Sequence, residues 1–212
     1  MSILGAQSDP YISPPFMYFH SYRKVREGNL RPGSMLRTAS LEDVNSRTGE
    51  GAASAFKLEL LRSIMSRANL FKDGEDPNAS FTIETANLLM KRYAGGTTSA
   101  LRTSPNNTVE FLIEPTGGGP SFAFDGLSSG QKEIISTLFL IWRHTRRTPG
   151  IVLIDEPELH LNAEWHRSFI DSLEELAPEN QYIIATHSED VFASVEEGSR
   201  LLLSPEAATL HS

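Results

Sequence analysis

The chain has 212 residues, 27 acidic against 19 basic side chains (net charge −8) and no cysteine, with 39% of residues hydrophobic and 22% charged. That composition excludes a collagen, a coiled coil or a wholly disordered chain, and the length allows one sizeable core with at most a small appendage. The lack of cysteine removes disulfide scaffolds, thiolate zinc sites and cysteine nucleophiles, and fits a reducing cytoplasm. Met1–Tyr11 has no basic residue and no apolar run, so no secretory signal is expected. The most apolar stretch, Ile134–Trp142, is far shorter than the ~20 residues that cross a bilayer, so a soluble protein without membrane contact is expected. Charge is uneven: residues 1–72 carry 10 basic and 6 acidic side chains, residues 73–212 carry 9 and 21. A nucleic-acid surface would belong around Arg23, Lys24, Arg26, Arg31 and Arg37. Without alternating aromatic and basic residues there, a solvated loop is the preferred reading.

Taken in order, Phe16–Tyr22 (FMYFHSY), between Pro14-Pro15 and a charged stretch, reads as a strand. Gly28–Gly51 is loop-like. Ala52–Leu70 places Phe56, Leu60, Ile64 and Ala68 a turn apart, with Lys57, Arg62 and Arg67 on other faces, which predicts an amphipathic helix. Lys72–Asn78 is a linker, a second helix runs over roughly Thr82–Tyr93 to Gly95-Gly96, and Thr97–Asn107 reads as a polar loop. Val109–Glu114 and Ser121–Asp125 flank a turn and suggest a hairpin. A helix from about Gly130 to Arg147 then leads to the aliphatic strand Ile151–Ile154, a helix over Ala163–Leu176, the strand Tyr182–Ala185, a short helix after Ser188 and a last apolar run, Leu201–Leu203. Buried strands alternating with helices imply an α/β fold with a mostly parallel sheet flanked by helices, preceded by a helical, lid-like region. The expected organisation is an N-terminal strand and loop segment over 1–51, the helical region over 52–107 and the α/β part over 108–212.

In such sheets ligands gather at the carboxyl ends of strands. Here those positions hold Asp155-Glu156, after Ile151–Ile154, and Thr186-His187, after Tyr182–Ala185. Two carboxylates at a strand tip are costly to bury without a cation or a function, although a plain turn explains an isolated Asp-Glu-Pro equally well. Ser128 and Gln131 fit a capping box at the start of a helix, and the free N–H groups around Ser129 and Gly130 could seat a phosphate. An ordinary cap is the plainer reading of that segment alone. His187 could donate to a phosphate oxygen or polarise a water, or face solvent ahead of a Ser188 cap.

Order and spacing together are more specific. Leu127-Ser-Ser-Gly-Gln131, an aliphatic strand ending in Asp155-Glu156, then Pro-Glu-Leu-His-Leu and a strand ending in Thr-His-Ser resemble the C-terminal lobe of ATP-binding-cassette (ABC-type) ATPases. The closest resemblance is to the soluble branch that includes SMC, RecF and OLD-like proteins and the AAA-labelled ATPases of bacterial defence and repair. It covers about residues 121–203. It implies a P-loop NTPase fold with ATP and Mg²⁺ as cofactors. By it Ser128, Ser129, Gly130 and Gln131 belong to a signature motif that binds nucleotide in trans, and Ile151–Glu156 is the Walker B strand. Asp155 would orient Mg²⁺, Glu156 polarise the attacking water, and His187 sense the γ-phosphate. Glu158, Leu159, His160, Leu161 and Asn162 would form the D-loop.

The chain departs from the family at one motif. None of its five lysines, Lys24, Lys57, Lys72, Lys91 and Lys132, follows a glycine, so Gly-x-x-x-x-Gly-Lys-Ser/Thr, the Walker A loop, is missing. The resemblance therefore implies an incomplete P-loop NTPase: a truncated reading frame, a split ATPase, or a degenerate subunit that completes a partner's site. It also implies a homo- or hetero-dimer with a Walker A-bearing partner, weak or absent ATP binding by the chain alone, and an exposed apolar edge at Tyr182–Ala185.

Three rival readings exist. Gly126-x-Ser128-x-Gly130, with Asp155 and His187, follows the chain order of an α/β-hydrolase triad, which requires Ser128 Oγ within ~3 Å of a His187 nitrogen. His160, Glu164 and His166 could be assembled into a metal site, although His166 is two residues from Glu164 and points elsewhere on a helix. A non-hydrolytic regulatory or binding module follows if no Walker A lobe is ever supplied.

Overall fold

Ser128 begins the longest helix with a complete capping box: its hydroxyl accepts from the Gln131 N–H at 3.2 Å, and Gln131 Oε1 accepts from the Ser128 N–H at 3.0 Å. The structure is a computed structural model that describes residues 15–20, 52–68, 77–103 and 109–203, apart from the side chain of His160. The five basic residues between Arg23 and Arg37, and the loop expected over Gly28–Gly51, lie outside the described residues. The elements are β1 (Phe16–Phe19), α1 (Ala52–Arg67), α2 (Ala79–Ala94), β2 (Gly96–Thr103), β3 (Val109–Pro115), β4 (Phe122–Ala123), α3 (Ser129–Thr145), β5 (Ile151–Asp155), α4 (Ala163–Leu176), β6 (Gln181–Ala185) and α5 (Glu189–Ser194).

β1, β5 and β6 form a parallel sheet in the order β1-β5-β6, while β2, β3 and β4 form an antiparallel sheet in chain order. The α/β architecture and the 109–125 hairpin are as expected from the sequence. Gly150 permits the closest approach in the parallel sheet: a Cβ there would strike the Pro15 carbonyl oxygen and lie 2.8 Å from Pro15 Cγ, while the next residue, Ile151, donates its N–H to that carbonyl at 3.0 Å. Any side chain at position 150 would push β1 off β5.

The core lies where α1, α2 and α3 meet the inner face of this sheet. Ile134, Ile135, Leu138, Phe139, Ile141 and Trp142 of α3 are all buried, as the two adjoining apolar stripes of that helix predict. Phe56 of α1 packs between Phe124 and Phe139, with ring centroids at 5.1 and 4.9 Å, the second pair edge to face. Met17, Phe19, Val152 and Ile154 join the same cluster. The alternate residues of those strands face outward. Tyr18, Leu153 and Ile183 stand side by side in register, next to Phe16 and Ile151, and Phe16, Tyr18 and Ile183 are 54%, 41% and 51% exposed. β1 and β6 are the two edge strands of this sheet among the described residues.

Two expectations are corrected. Residues 97–103, read as a polar loop, form most of β2, because β3 offers a full antiparallel partner from Gly96↔Pro115 to Thr103↔Val109. Pairing overrides the weak strand propensity of a segment whose outer residues are exposed. Lys57, placed on an outer face of α1, is buried and forms an ion pair with Asp125, since α1 is covered on more than one side. The last apolar run, Leu201–Leu203, is about four-fifths exposed, at 78%, 83% and 80%.

Candidate functional site

The residues singled out after β5 and β6 meet at one end of the parallel sheet. The ladder continues one step past Asp155, where the Glu156 N–H donates to the Ala185 carbonyl at 2.8 Å. Beyond that bond the two chains separate. Glu156 takes a left-handed backbone (φ 47°, ψ 63°), the one such non-glycine residue among those described. That conformation costs an L-residue about 1–2 kcal/mol and is common where function holds a side chain in an awkward place. Pro157 follows at the start of a 3-10 turn over Pro157–His160, and its fixed φ helps reverse the chain. The Glu156 carboxylate is thereby turned toward β6, where its Oε1 lies 3.6 Å from Nε2 of the exposed His187.

Glu158 lies inside this turn and reaches across to the 186–188 loop. Its Oε1 accepts from the His187 N–H at 2.7 Å and the Ser188 N–H at 3.1 Å, and its Oε2 accepts from the Thr186 hydroxyl at 2.8 Å. Ser188 caps α5 by accepting from the Val191 N–H at 3.3 Å, and its hydroxyl shares a hydrogen bond with Nδ1 of His166 at 3.0 Å. Leu159 is exposed and Leu161 half-buried, and Asn162 caps α4, accepting from the Glu164 N–H at 3.4 Å. The side chain of His160 lies outside the described residues. The sequence flagged Asp155, Glu156 and His187 by strand position, but gave no signal that Glu158 grips the backbone of the histidine loop, since a helix and a strand, α4 and β6, separate them in the chain.

Ser128, Ser129, Gly130 and Gln131 sit at the start of α3. Among the described residues, no hydrogen bond or ion pair joins them to Asp155, Glu156 or His187. Ser128 Oγ is occupied by the Gln131 N–H, and Gln131 Nε2 donates to the Tyr93 carbonyl at 3.0 Å, fastening the start of α3 to the end of α2. Ser128 and Ser129 face solvent. The triad reading therefore lacks its serine–histidine contact. No group of three His, Asp or Glu side chains suited to a metal occurs among the described residues; the site assembled from His160, Glu164 and His166 includes a side chain, that of His160, outside them. Mg²⁺ makes a different demand: it keeps several waters and takes one or two carboxylates plus substrate phosphates. The half-buried Asp155 beside Glu156 fits that donor set.

A parallel sheet with a polar cluster at the carboxyl ends of adjacent strands is the α/β arrangement in which ligands generally gather at that edge. Residues 18–193 match the family described as "AAA domain, putative AbiEii toxin, Type IV TA system", and the chain belongs to that family. The ABC-type ATPase family expected from the motifs, with its P-loop NTPase fold class, is thus borne out.

Two curated relatives point the same way. "Retron Vc95 probable ATPase" of Vibrio cholerae serotype O1 biovar El Tor is 25% identical over 146 residues, 64% of this chain and 28% of that protein. "Retron Ec83 probable ATPase" of Escherichia coli is 36% identical over 87 residues, 36% of this chain and 16% of that protein. The chain thus spans less than a third of the length of either relative. Among solved structures, an SMC ATPase studied for ATP-driven dimerization and DNA-stimulated activation aligns with a TM-score of 0.42 and 18% identity over 54% of this chain and 72% of that one. The Smc head domain from Pyrococcus yayanosii aligns at 0.42 and 22%, over 66% of this chain and 29% of that one. No helix among the described residues is long and apolar enough to cross a membrane.

Proposed function

We propose that this chain is the signature- and Walker B-bearing part of an ABC-type ATPase, which hydrolyses ATP once a lobe carrying a Gly-Lys-Ser/Thr loop is supplied from elsewhere. The observation that carries the reading is the Asp155-Glu156 pair at the tip of the middle parallel strand, with His187 of the neighbouring strand 3.6 Å from Glu156. Phosphoryl transfer asks the protein for positioning and charge neutralisation more than for covalent chemistry. Asp155 would hold Mg²⁺, which when bound neutralises phosphate charge. Glu156 accepts a proton from the attacking water, and His187, free to swing because its ring is exposed, donates to the γ-phosphate. The turn from Glu158 to Asn162 serves as the D-loop. Ser128 and Ser129 face solvent at a helix start, with Gly130 buried and Gln131 half-buried behind them, and in this reading the segment meets the nucleotide of a second subunit rather than its own. In this reading residues 108–212 are the ATPase lobe and 52–107 the lid. The retron ATPase names of the relatives and the toxin–antitoxin description of the family support a role in bacterial defence.

The test is a reconstitution with the Walker A-bearing lobe. The purified 212-residue chain is expected to bind Mg-ATP weakly or not at all, and the complete assembly to hydrolyse it. Glu156→Gln should slow the assembly at least ~10²-fold, the scale for losing a general base, and trap nucleotide. Unchanged turnover in Glu156→Gln would end the catalytic assignment, and submillimolar Mg-dependent ATP affinity of the lone chain would end the need for a second lobe.

A further inference from the structure

His187 presents an apparent contradiction. Its side chain is 89% exposed, so packing does not hold it, yet it stands 3.6 Å from a carboxylate carried by another strand. What fixes the ring's origin is the backbone of the 186–188 loop. One side chain takes two consecutive N–H groups and a hydroxyl of that loop, and it belongs to Glu158, two residues after Glu156. Bonds from N–H or O–H groups to a carboxylate are roughly twice as strong as neutral ones. The turn bearing Glu156 therefore also grips the strand end bearing His187. The remaining ties on the loop are weaker or further along it: the Ser188 N–H donates to Thr186 Oγ1 at 3.0 Å, and the Ser188 hydroxyl meets His166.

We propose that Glu158 is the positioning residue of the site, a carboxylate clamp that sets the Glu156-to-His187 distance by locking the 186–188 backbone to the Pro157–His160 turn. The catalytic part of this inference rests on the ATPase reading above; the clamp itself does not. Because the clamp sits in the turn that the reading assigns to the D-loop, displacement of that turn by a docking subunit would move His187 with it. Subunit contact and γ-phosphate sensing would then be mechanically joined through one side chain.

Nuclear magnetic resonance on the full 212-residue chain tests the clamp without nucleotide. In the wild type, nuclear Overhauser contacts are expected between the His187 ring and the Glu156 side chain, with slow exchange of the His187 and Ser188 amides. Glu158→Ala should abolish those contacts and speed exchange of both amides by about tenfold or more, the scale for losing a charge-assisted hydrogen bond. Glu158→Gln, whose amide oxygen still accepts, should restore part of both. If the alanine variant does not fold, Glu158→Gln and Thr186→Val carry the test, each expected to give an intermediate loss. In an ATP-hydrolysing assembly Glu158→Ala should lower kcat about tenfold or more while KM for ATP stays within about twofold, because it disturbs alignment and not nucleotide contact. Unchanged contacts and exchange in the variants overturn the clamp, and an unchanged kcat overturns its positioning role. A wild-type assembly that never hydrolyses ATP, with the clamp signals as expected, instead overturns the ATPase reading alone.

Discussion

Replacing Glu156 by glycine or asparagine is expected to make the protein more stable while removing its proposed general base. The reason is the left-handed backbone at that position, φ 47° and ψ 63°. An L-residue with a full Cβ pays about 1–2 kcal/mol there. Glycine avoids that cost but gives back about 0.5–1 kcal/mol through its greater freedom in the unfolded chain, so the net gain is about 0.5–1 kcal/mol. Asparagine tolerates the conformation better than other side chains and keeps the unfolded-state advantage, so a similar gain is expected. Removing a charge beside Asp155 also alters electrostatics, and Glu156→Gln and Glu156→Ala control for that without relaxing the backbone. For a chain of this length each kcal/mol moves the melting point by about 2–4 °C. Thermal melts followed by circular dichroism should rank Gly and Asn above Gln and Ala by about 2 °C. If all four variants melt together, the backbone at position 156 is not strained and the argument that function holds it there fails.

Other substitutions probe the scaffold. Ser128→Ala deletes one half of the capping box and should cost about 1 kcal/mol in urea unfolding, with Ser128→Gly costing less. Gly150→Ala drives a methyl into the Pro15 carbonyl and should destabilise by about 1–3 kcal/mol, with loss of amide protection in Met17 and Phe19 as β1 is displaced. His144, in the last turn of α3, has its imidazole pushed below the usual histidine range by burial. The Glu59 carboxylate opposes that fall and Arg143 adds to it. The unfolded chain therefore gains a proton near pH ~6.5 that the native state refuses. This contribution to stability is complete above that pH and is lost as the pH falls toward the depressed native value. Urea midpoints measured from about pH 7.5 down to 5 should fall, and His144→Gln should flatten the slope that this one residue contributes.

Where local and tertiary forces agreed, the sequence could be read closely. The helix expected over Ala163–Leu176 occupies those residues, with Asn162 as its cap, and the α3 stripes are buried as spaced. Strand ends were readable because four aliphatic residues followed by two carboxylates mark where the core stops. The misreadings fall where a partner decides. Residues 97–103 become a strand only because β3 is there to pair with them, and Lys57 goes inside only because Asp125 waits in the turn ahead of α3. In the candidate site the three titratable groups at strand tips were visible as residues. Their spacing was not, because it depends on an inverted backbone at Glu156 and on a long-range grip by Glu158.

The outer face of the parallel sheet, partly exposed among the described residues, bears on that same cluster. Side chains alternate along a strand, so Asp155 leaves β5 on the side of Ile151 and Leu153, beside the row formed by Tyr18 and Ile183. A protein surface laid over that greasy row would dry the neighbourhood of Asp155, the acid proposed to hold Mg²⁺, in the same movement, and attraction between fixed charges grows as water leaves. Burial of the sheet and arming of its acidic tip are thus one physical event, so the hydrophobic fit of a covering surface would be felt directly in the rate of the chemistry beside it.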